Sequence, residues 1–96
     1  MGEPKYITKP TTRFKKDVRR IKKQGLDIGE LISVVKVLAG GKPLDEKYQD
    51  HSLSGEFKGC RECHIRPDWL LIYEYDHEIM YLYLTRIGSH SDLFGK

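Results

Sequence analysis

Apolar residues recur at helical spacing through the first part of the chain. The predicted first helix begins at a cap formed by Thr11 or Thr12 and runs to about Gln24, where Gly25 ends it. Three apolar residues at i, i+4 and i+7 form one stripe along this helix: Phe14, Val18 and Ile21. The stripe predicts that one side of the helix packs against a core, and basic residues occupy most of the other side.

A second helix follows after a short break. Asp27 can cap it, and Glu30 three residues later completes a capping box. The glycines at 40–41 end it. Its predicted buried face consists of Ile28, Leu31, Ile32, Val35 and Leu38. Because the break between the helices is short, the pattern predicts an antiparallel helical hairpin.

The rest of the pattern is typical of strands. Residues 6–8 predict a short first strand, and residues 42–54 predict a polar loop. Further strands are predicted at residues 56–58, 59–66, 69–75 and 79–86, with a hairpin turn at 76–78. The fold class is therefore α+β, with the N-terminal strand and helical hairpin packed on a mostly antiparallel, four- to five-stranded sheet. The outer face of that sheet is then free to carry a site.

Composition adds limits to this picture. Of 96 residues, 39% are hydrophobic and 32% are charged, which is typical of one soluble domain, here residues 1–96. No apolar run approaches the roughly 18 residues of a membrane span. The first residues contain no apolar region of the kind found in a secretory signal. We therefore expect a cytoplasmic protein that does not bind membranes.

Charge is unevenly distributed along the chain. Residues 1–23 contain nine Lys or Arg against two acidic residues, whereas the remainder contains eight against twelve. A basic first helix favours binding to a polyanion or to an acidic partner. The alternative is an ordinary solvated helix face.

The segment Cys60-Arg61-Glu62-Cys63-His64 matches the C-x-x-C-H pattern of c-type haem attachment. On a strand, however, residues three apart point to opposite faces, so the two thiols diverge. Divergent thiols also argue against a disulfide or a zinc site, because both need sulfurs that converge. We expect two reduced cysteines that serve packing.

Groups able to transfer protons cluster late in the chain. His64 lies on a predicted strand, Asp68 lies at the tight connection to the next strand, and His90 follows the last strand. His51 lies in the loop before the sheet. Metal-free RNA cleavage needs a base for the 2′-OH, an acid for the leaving oxygen and cations for the phosphate. Histidine can act as base or acid near neutral pH.

Candidates for substrate binding surround these groups. Arginine donates the paired hydrogen bonds that suit a phosphate, and Arg61, Arg66 and Arg86 lie in or beside the strands. Trp69 and Phe94 can stack on bases, although core packing suits Trp69 equally well. A small ribonuclease is one hypothesis that these residues support, and none of them is specific for it alone.

Three motifs carry a resemblance to a known family. The segments DHSLSG at 50–55, GCRECHIRPDWLLIY at 59–73 and RIGSHSDLF at 86–94 resemble the YafQ-type toxins of the RelE/ParE superfamily of type II toxin–antitoxin systems. The similarity extends over nearly the whole chain, because the basic first helix, the second helix and the loop at 43–44 also fit.

The resemblance implies a ribosome-dependent endoribonuclease that cuts mRNA without a metal or other cofactor. It implies that His90 is the general acid, that His64 and Asp68 are the base and its helper, and that His51 handles a proton or binds phosphate. Phe94 would position a nucleobase of the mRNA. The remaining implied contacts are Arg86 with the phosphate, and Arg19, Arg20, Lys22 and Lys23 with ribosomal RNA.

The implied partners are a cognate antitoxin, the ribosome and mRNA, with operator DNA bound only through the antitoxin complex. Three other hypotheses remain open at this point. One is a superfamily toxin that poisons gyrase without cleaving RNA, which the His64, Asp68 and His90 set disfavours. The others are a non-catalytic basic nucleic-acid-binding module and a haem protein.

Overall fold

The strands form one open sheet, and two helices cover one of its faces. The computed structural model describes residues 3–95. The helices are α1 (Thr12–Lys23), α2 (Ile28–Ala39) and α3 (His90–Phe94). The strands are β1 (Ile7–Pro10), β2 (His51–Ser52), β3 (Arg61–Arg66), β4 (Trp69–Asp76) and β5 (Tyr81–Gly88). In this part of the chain, every helix is too short or too polar to cross a membrane.

The sheet order is β1-β5-β4-β3-β2. All neighbouring pairs are antiparallel except β1 with β5, which are parallel. The predicted α+β class and the mostly antiparallel sheet are therefore confirmed. β1 ends at Pro10, which lacks an N–H and suits an edge strand. Beyond Pro10 the rest of β5 has no strand partner on that side, and α1 packs against β5.

The two helices bury their apolar stripes on the inner face of the sheet. In α1, Phe14 and Ile21 are buried and Val18 is partly buried, as the spacing predicts. In α2, the predicted stripe needs one correction. Ile32 is 50% exposed, and Val34 is buried instead. Ile32 lies at the outer margin of the apolar arc, whereas Val34 lies on the opposite margin that faces the sheet.

Three local predictions between the helices and the sheet were wrong. Residues 56–58 do not form a strand, because Gly55–Phe57 is a single 3-10 turn. The loop at 42–54 contains a second such turn at Glu46–Tyr48 and the short strand β2, so His51 belongs to the sheet. Very short elements of this kind leave little periodic signal in a sequence.

A β-bulge on β5 changes which side chains face the helices. Ile72 is opposite Arg86 and Tyr73 is opposite Leu84, so Thr85 is the extra residue. Strict alternation from Leu84 would send Ile87 to the outer face. The bulge reverses the alternation, and Ile87 is fully buried in the main core.

Candidate active site

The first wall of the candidate site lies on β2 and β3 and consists of His51, Glu62 and His64. β2 pairs with β3 so that His51 stands opposite Glu62. The Nε2 atom of His51 lies 3.3 Å from Oε1 of Glu62, and Nε2 of His64 lies 3.8 Å from the same oxygen. Glu62 is only 5% exposed, and its other oxygen is buried without a hydrogen-bond partner. One carboxyl group therefore lies between two imidazole rings.

Main-chain contacts orient the His51 ring. Its Nδ1–H donates a 2.7 Å hydrogen bond to the carbonyl oxygen of Gln49. Since a carbonyl oxygen only accepts, this bond places the proton of the neutral ring on Nδ1 and turns Nε2 toward Glu62. A proton carried on Nε2 would point at the Glu62 carboxyl group.

Asp50 anchors this wall from the inner side of the sheet. Its Oδ1 accepts a 2.5 Å hydrogen bond from the Tyr73 hydroxyl and a 3.2 Å bond from Nε of Arg61. Burial and the neighbouring Asp50 carboxylate raise the pKa of Tyr73, so its hydroxyl remains a proton donor. Asp50 directly precedes His51, so these bonds hold the short strand β2 in place.

The second wall is α3, which carries His90 and Phe94. Ser89 and Asp92 form a reciprocal capping box at its start. The rings of His90 and Phe94 lie 4.9 Å apart between centroids, and Phe94 makes an edge contact with Phe57 at 5.8 Å. The helix rests on the outer face through a small apolar cluster that includes Cys60, Leu70, Ile72 and Leu93.

Strand register brings both walls to the same end of the outer face. His64 is opposite Leu70, and Leu70 is opposite Gly88, on three adjacent strands. Neighbouring strands lie about 4.8 Å apart, so the backbones at His64 and Gly88 are roughly 10 Å apart. His90 follows Gly88 by two residues.

A cleft of about 560 Å³ adjoins His64 beside the part of β3 that β2 does not pair with. Lys47 contributes positive charge to its lining, beside Tyr48 and Gln49, while Arg66 in the lining is paired with Glu30. Its size is in the range of small-ligand sites. The cleft provides space next to the first wall for a chain segment or nucleotide.

Four residues predicted to bind substrate or ribosomal RNA make contacts within the protein. Arg61 points to the inner face, where it donates to Asp50. Trp69 packs against the main core on that same face. The guanidinium of Arg66 donates to Glu30 of α2. A register shift between His64 and Arg66 accounts for its turning away from the face that carries His64.

The fourth is Arg20, predicted to contact ribosomal RNA, whose guanidinium donates to Asp17 and to the carbonyl oxygen of Ile87 at the end of β5. By contrast, its neighbours Arg19, Lys22 and Lys23 are exposed. Three of the four basic residues predicted to contact RNA are therefore accessible to an external polyanion.

Asp68 and Arg86, two further predicted site residues, differ in the contacts that they make. Asp68 is exposed in the turn between β3 and β4 and has no hydrogen bond or ion pair within residues 3–95. Arg86 lies at the free edge of β5. Its Nε and Nη2 donate to the Asp17 carboxylate at 2.7 and 3.1 Å. That carboxylate raises the pKa of Arg86 further.

The cysteines occupy opposite faces of the sheet, as alternation along a strand predicts. Cys60 belongs to the small outer cluster and Cys63 to the main core. Both are free thiols. Burial raises the pKa of Cys63 to about 12 and also raises that of Cys60. No cluster of three or more His, Cys, Asp or Glu suited to a metal occurs in the described residues.

Sequence reasoning missed Glu62 and Asp17 as members of this region. The Glu-x-His spacing does place Glu62 on the same face as His64, so alternation alone was a usable signal. Asp17 carried no such signal, because its arginine partners include Arg86, which is 69 residues away.

The fold and the site define a small α+β protein that presents histidines and a buried carboxyl group at one end of an open sheet. Residues 6–95 match the family described as "Bacterial toxin of type II toxin-antitoxin system, YafQ". The mRNA interferase toxin YafQ of Escherichia coli strain K12 is 37% identical over 84 residues, covering 86% of this chain and 89% of the relative.

Solved structures agree with that match. A metal-bound toxin from Helicobacter pylori has a TM-score of 0.87 and 43% identity, with 93% of this chain and 99% of that chain covered. The E. coli DinJ–YafQ complex contains a chain with a TM-score of 0.85 and 34% identity, with 94% and 99% covered. This protein belongs to the YafQ family of type II toxin–antitoxin toxins, so the family expected from the resemblance is confirmed.

Proposed function

We propose that this protein is an endoribonuclease toxin that cuts mRNA on the ribosome and is neutralised by a cognate antitoxin. The observation that carries the proposal is the placement of both walls at one end of the outer face, with His51, Glu62 and His64 on β2 and β3 and His90 on α3. The 37% identical relative is named an mRNA interferase toxin, which supports the same activity here.

In the proposed reaction the 2′-OH of the substrate attacks the adjacent phosphorus. The first wall accepts the 2′-OH proton, with His64 as the group nearest the substrate and Glu62 and His51 sharing the proton. Asp68 is exposed and unpaired within the described residues, so it is available as the helper once RNA is bound. His90 donates a proton to the leaving 5′-oxygen, and the products are a 2′,3′-cyclic phosphate and a 5′-OH.

Two further side chains complete the proposal. Phe94 is 37% exposed beside His90, so its ring can stack on a base of the substrate and hold the scissile bond between the walls. Arg86 is proposed to stabilise the phosphate. Because two of its donors bind Asp17, that contact requires Nη1 or a partial release from Asp17.

The proposed partners follow from charge and from the relatives. Arg19, Lys22 and Lys23 are exposed on α1 and suit phosphate contacts with ribosomal RNA, which are strong and tolerant of sequence. The E. coli relative forms a complex with DinJ. We propose an equivalent antitoxin for this protein, through which any operator DNA would be bound.

The test is cleavage of mRNA by purified protein on translating ribosomes, read by sequencing the mRNA ends. His90→Ala should abolish cleavage, because the leaving oxygen would depart as an alkoxide. His77→Ala is the matched control, since His77 lies in the β4–β5 turn and bonds to Tyr6 outside the site. Full activity of His90→Ala would refute the proposal. Growth arrest relieved by the adjacent open reading frame would establish the antitoxin.

A further inference from the structure

We infer that Arg20 is a positioning residue that ties α3 to the body of the protein and so holds His90 and Phe94 in the site. Arg20 was expected to contact ribosomal RNA, and its surroundings indicate a different role. The inference rests on the proposed function, which assigns His90 and Phe94 their parts in cleavage.

The helix α3 needs an external anchor. It has five residues, of which only Leu93 is buried, while His90 and Phe94 are exposed. Helices this short are unstable in isolation, because nucleation is unfavourable. A general acid must nevertheless stay within hydrogen-bond reach of its oxygen. Contacts from elsewhere in the fold therefore have to fix the helix.

Arg20 provides these contacts from α1. Its Nη1 donates to Oδ1 of Asp17 at 3.0 Å, and its Nη2 donates to the carbonyl oxygen of Ile87 at 3.2 Å. The same Nη2 lies 3.4 Å from Oδ2 of Asp92. One guanidinium thus joins α1, the end of β5 and the first turn of α3.

Both acidic partners are themselves fixed. Asp17 is 2% exposed and accepts the backbone N–H of Ile87 at 3.1 Å in addition to Arg86 and Arg20. The Oδ2 of Asp92 accepts the backbone N–H of Ser89 at 3.1 Å, so the oxygen that caps α3 also faces Arg20. We call Asp17, Arg20, Arg86 and Asp92 the charge clamp. With two arginines and two aspartates, it is neutral overall.

The close approach of Arg20 and Asp92 to Gly88 gives independent support for this arrangement. A Cβ atom at this position would lie 2.7 Å from Nη2 of Arg20 and 3.0 Å from Cβ of Asp92. Arg20 therefore fills the space beside the hinge between β5 and α3. In that position the Arg20 guanidinium contacts α1, β5 and α3 although 36% of its side chain is exposed, whereas Arg19 one residue earlier is an exposed residue.

The experiment compares Arg20→Ala with Arg19→Ala in steady-state cleavage on mRNA-programmed ribosomes. Arg20→Ala should lower kcat about tenfold, because small misplacements of a catalytic group have large effects on rate. Its KM and salt dependence should change little. Arg19→Ala should instead raise KM and flatten the salt dependence. If the two variants show the same KM effect, Arg20 is only an RNA-binding cation and the inference is wrong.

A second variant removes the negative charge of Asp92 with little change in the shape of the side chain. Asp92→Asn keeps an oxygen that can cap Ser89 but weakens the contact with Arg20. It should reproduce part of the loss in kcat, and the double variant should lose less than the product of the two single effects. Independent, multiplicative effects would overturn the link between Arg20 and α3. If circular dichroism shows that Arg20→Ala does not fold, Asp92→Asn alone tests the link between Arg20 and α3.

A leaving-group substitution separates positioning of the acid from a general structural role. In RNA with sulfur in place of the 5′-bridging oxygen at the mapped cut, the thiolate departs without protonation. The deficits of His90→Ala and Arg20→Ala should both shrink on this substrate. If only the His90→Ala deficit shrinks, Arg20 does not act through the acid. If His90→Ala is fully active on ordinary RNA, the proposed function itself has failed.

Discussion

The two walls of the candidate site are held by different kinds of interaction. His51, Glu62 and His64 stand on paired strands, where the ladder of β2, β3 and β4 sets their spacing. His90 and Phe94 stand on a five-residue helix, where side chains from α1 set the spacing. The first wall is therefore as rigid as the sheet, and the second is as rigid as the charge clamp.

This difference shows where the protein can be perturbed. A change in the sheet ladder would unfold the core along with the first wall. The second wall can be displaced while the sheet remains intact, because the apolar contacts of α3 are few and come from Leu93 and from the edge contact of Phe94 with Phe57. We expect most substitutions in the charge clamp to lower activity with little loss of stability, more so than substitutions beneath the first wall. Asp17 is the exception, because its substitution should lower both activity and stability.

The largest effect is expected for Asp17→Asn. The carboxylate is buried and serves Arg20, Arg86 and the N–H of Ile87. Removing its charge leaves Arg86 without its carboxylate partner and leaves Arg20 with only Asp92, which should cost about 3 kcal/mol of unfolding free energy. Cleavage should also fall, because Asp17 would no longer hold Arg20 in place beside α3. Urea unfolding measures the first effect, with the exposed N-cap change Asp27→Asn as control. A loss as small as that of Asp27→Asn would contradict the clamp.

The same variant has a defined pH dependence. Burial of Asp17 acts to raise its pKa, but hydrogen bonds from Arg86, Ile87 and Arg20 outweigh it, so the pKa is lowered. Its contribution to stability is then present above the unfolded pKa of about 3.9 and is lost as pH falls through the lower folded value. Unfolding free energy of Asp17→Asn should therefore decline less steeply below about pH 4 than that of the parent protein.

A smaller effect is expected beneath the first wall. Tyr73→Phe removes the 2.5 Å hydrogen bond to Asp50 and should cost about 1–2 kcal/mol, since the bond is buried and its acceptor is charged. Tyr75→Phe is the matched control, because its hydroxyl donates to the carbonyl oxygen of Leu38 instead. With similar losses of stability, only Tyr73→Phe should lower cleavage, by loosening β2 and His51. Equal activity of both variants would show that Asp50 does not anchor the wall.

The smallest effect concerns neither wall. Replacing Arg19, Lys22 and Lys23 by Gln should leave unfolding nearly unchanged and reduce the slope of log affinity against log salt by about 2 units on ribosomes. The control replaces Lys5, Lys36 and Lys42, which are also exposed. An identical change of slope in both triple variants would mean that net charge, rather than α1, determines ribosome binding.

Local features were predicted well, and distant pairings were not. The stripe of α1 and the divergence of Cys60 from Cys63 follow from periodicity along a single element. The acidic partners of Arg61 and Arg66 were not predicted, because they lie on other parts of the fold, whereas Asp17 is three residues from Arg20 on α1, a spacing that periodicity does reveal. For the site, the sequence indicated the histidines and the end of the sheet that carries them, and it left Glu62 without a role.

What the sequence by itself determined was the order of the elements, their caps and the face on which most side chains fall. These properties depend on residues a few positions apart and on backbone preferences that act within one helix or strand. The tertiary structure alone decided that a bulge at Thr85 turns Ile87 inward and that Asp17 pairs with Arg86 in addition to Arg20 on its own helix. Those outcomes depend on which elements pack together, because the pairing of buried charges is chosen by distance in space and not along the chain.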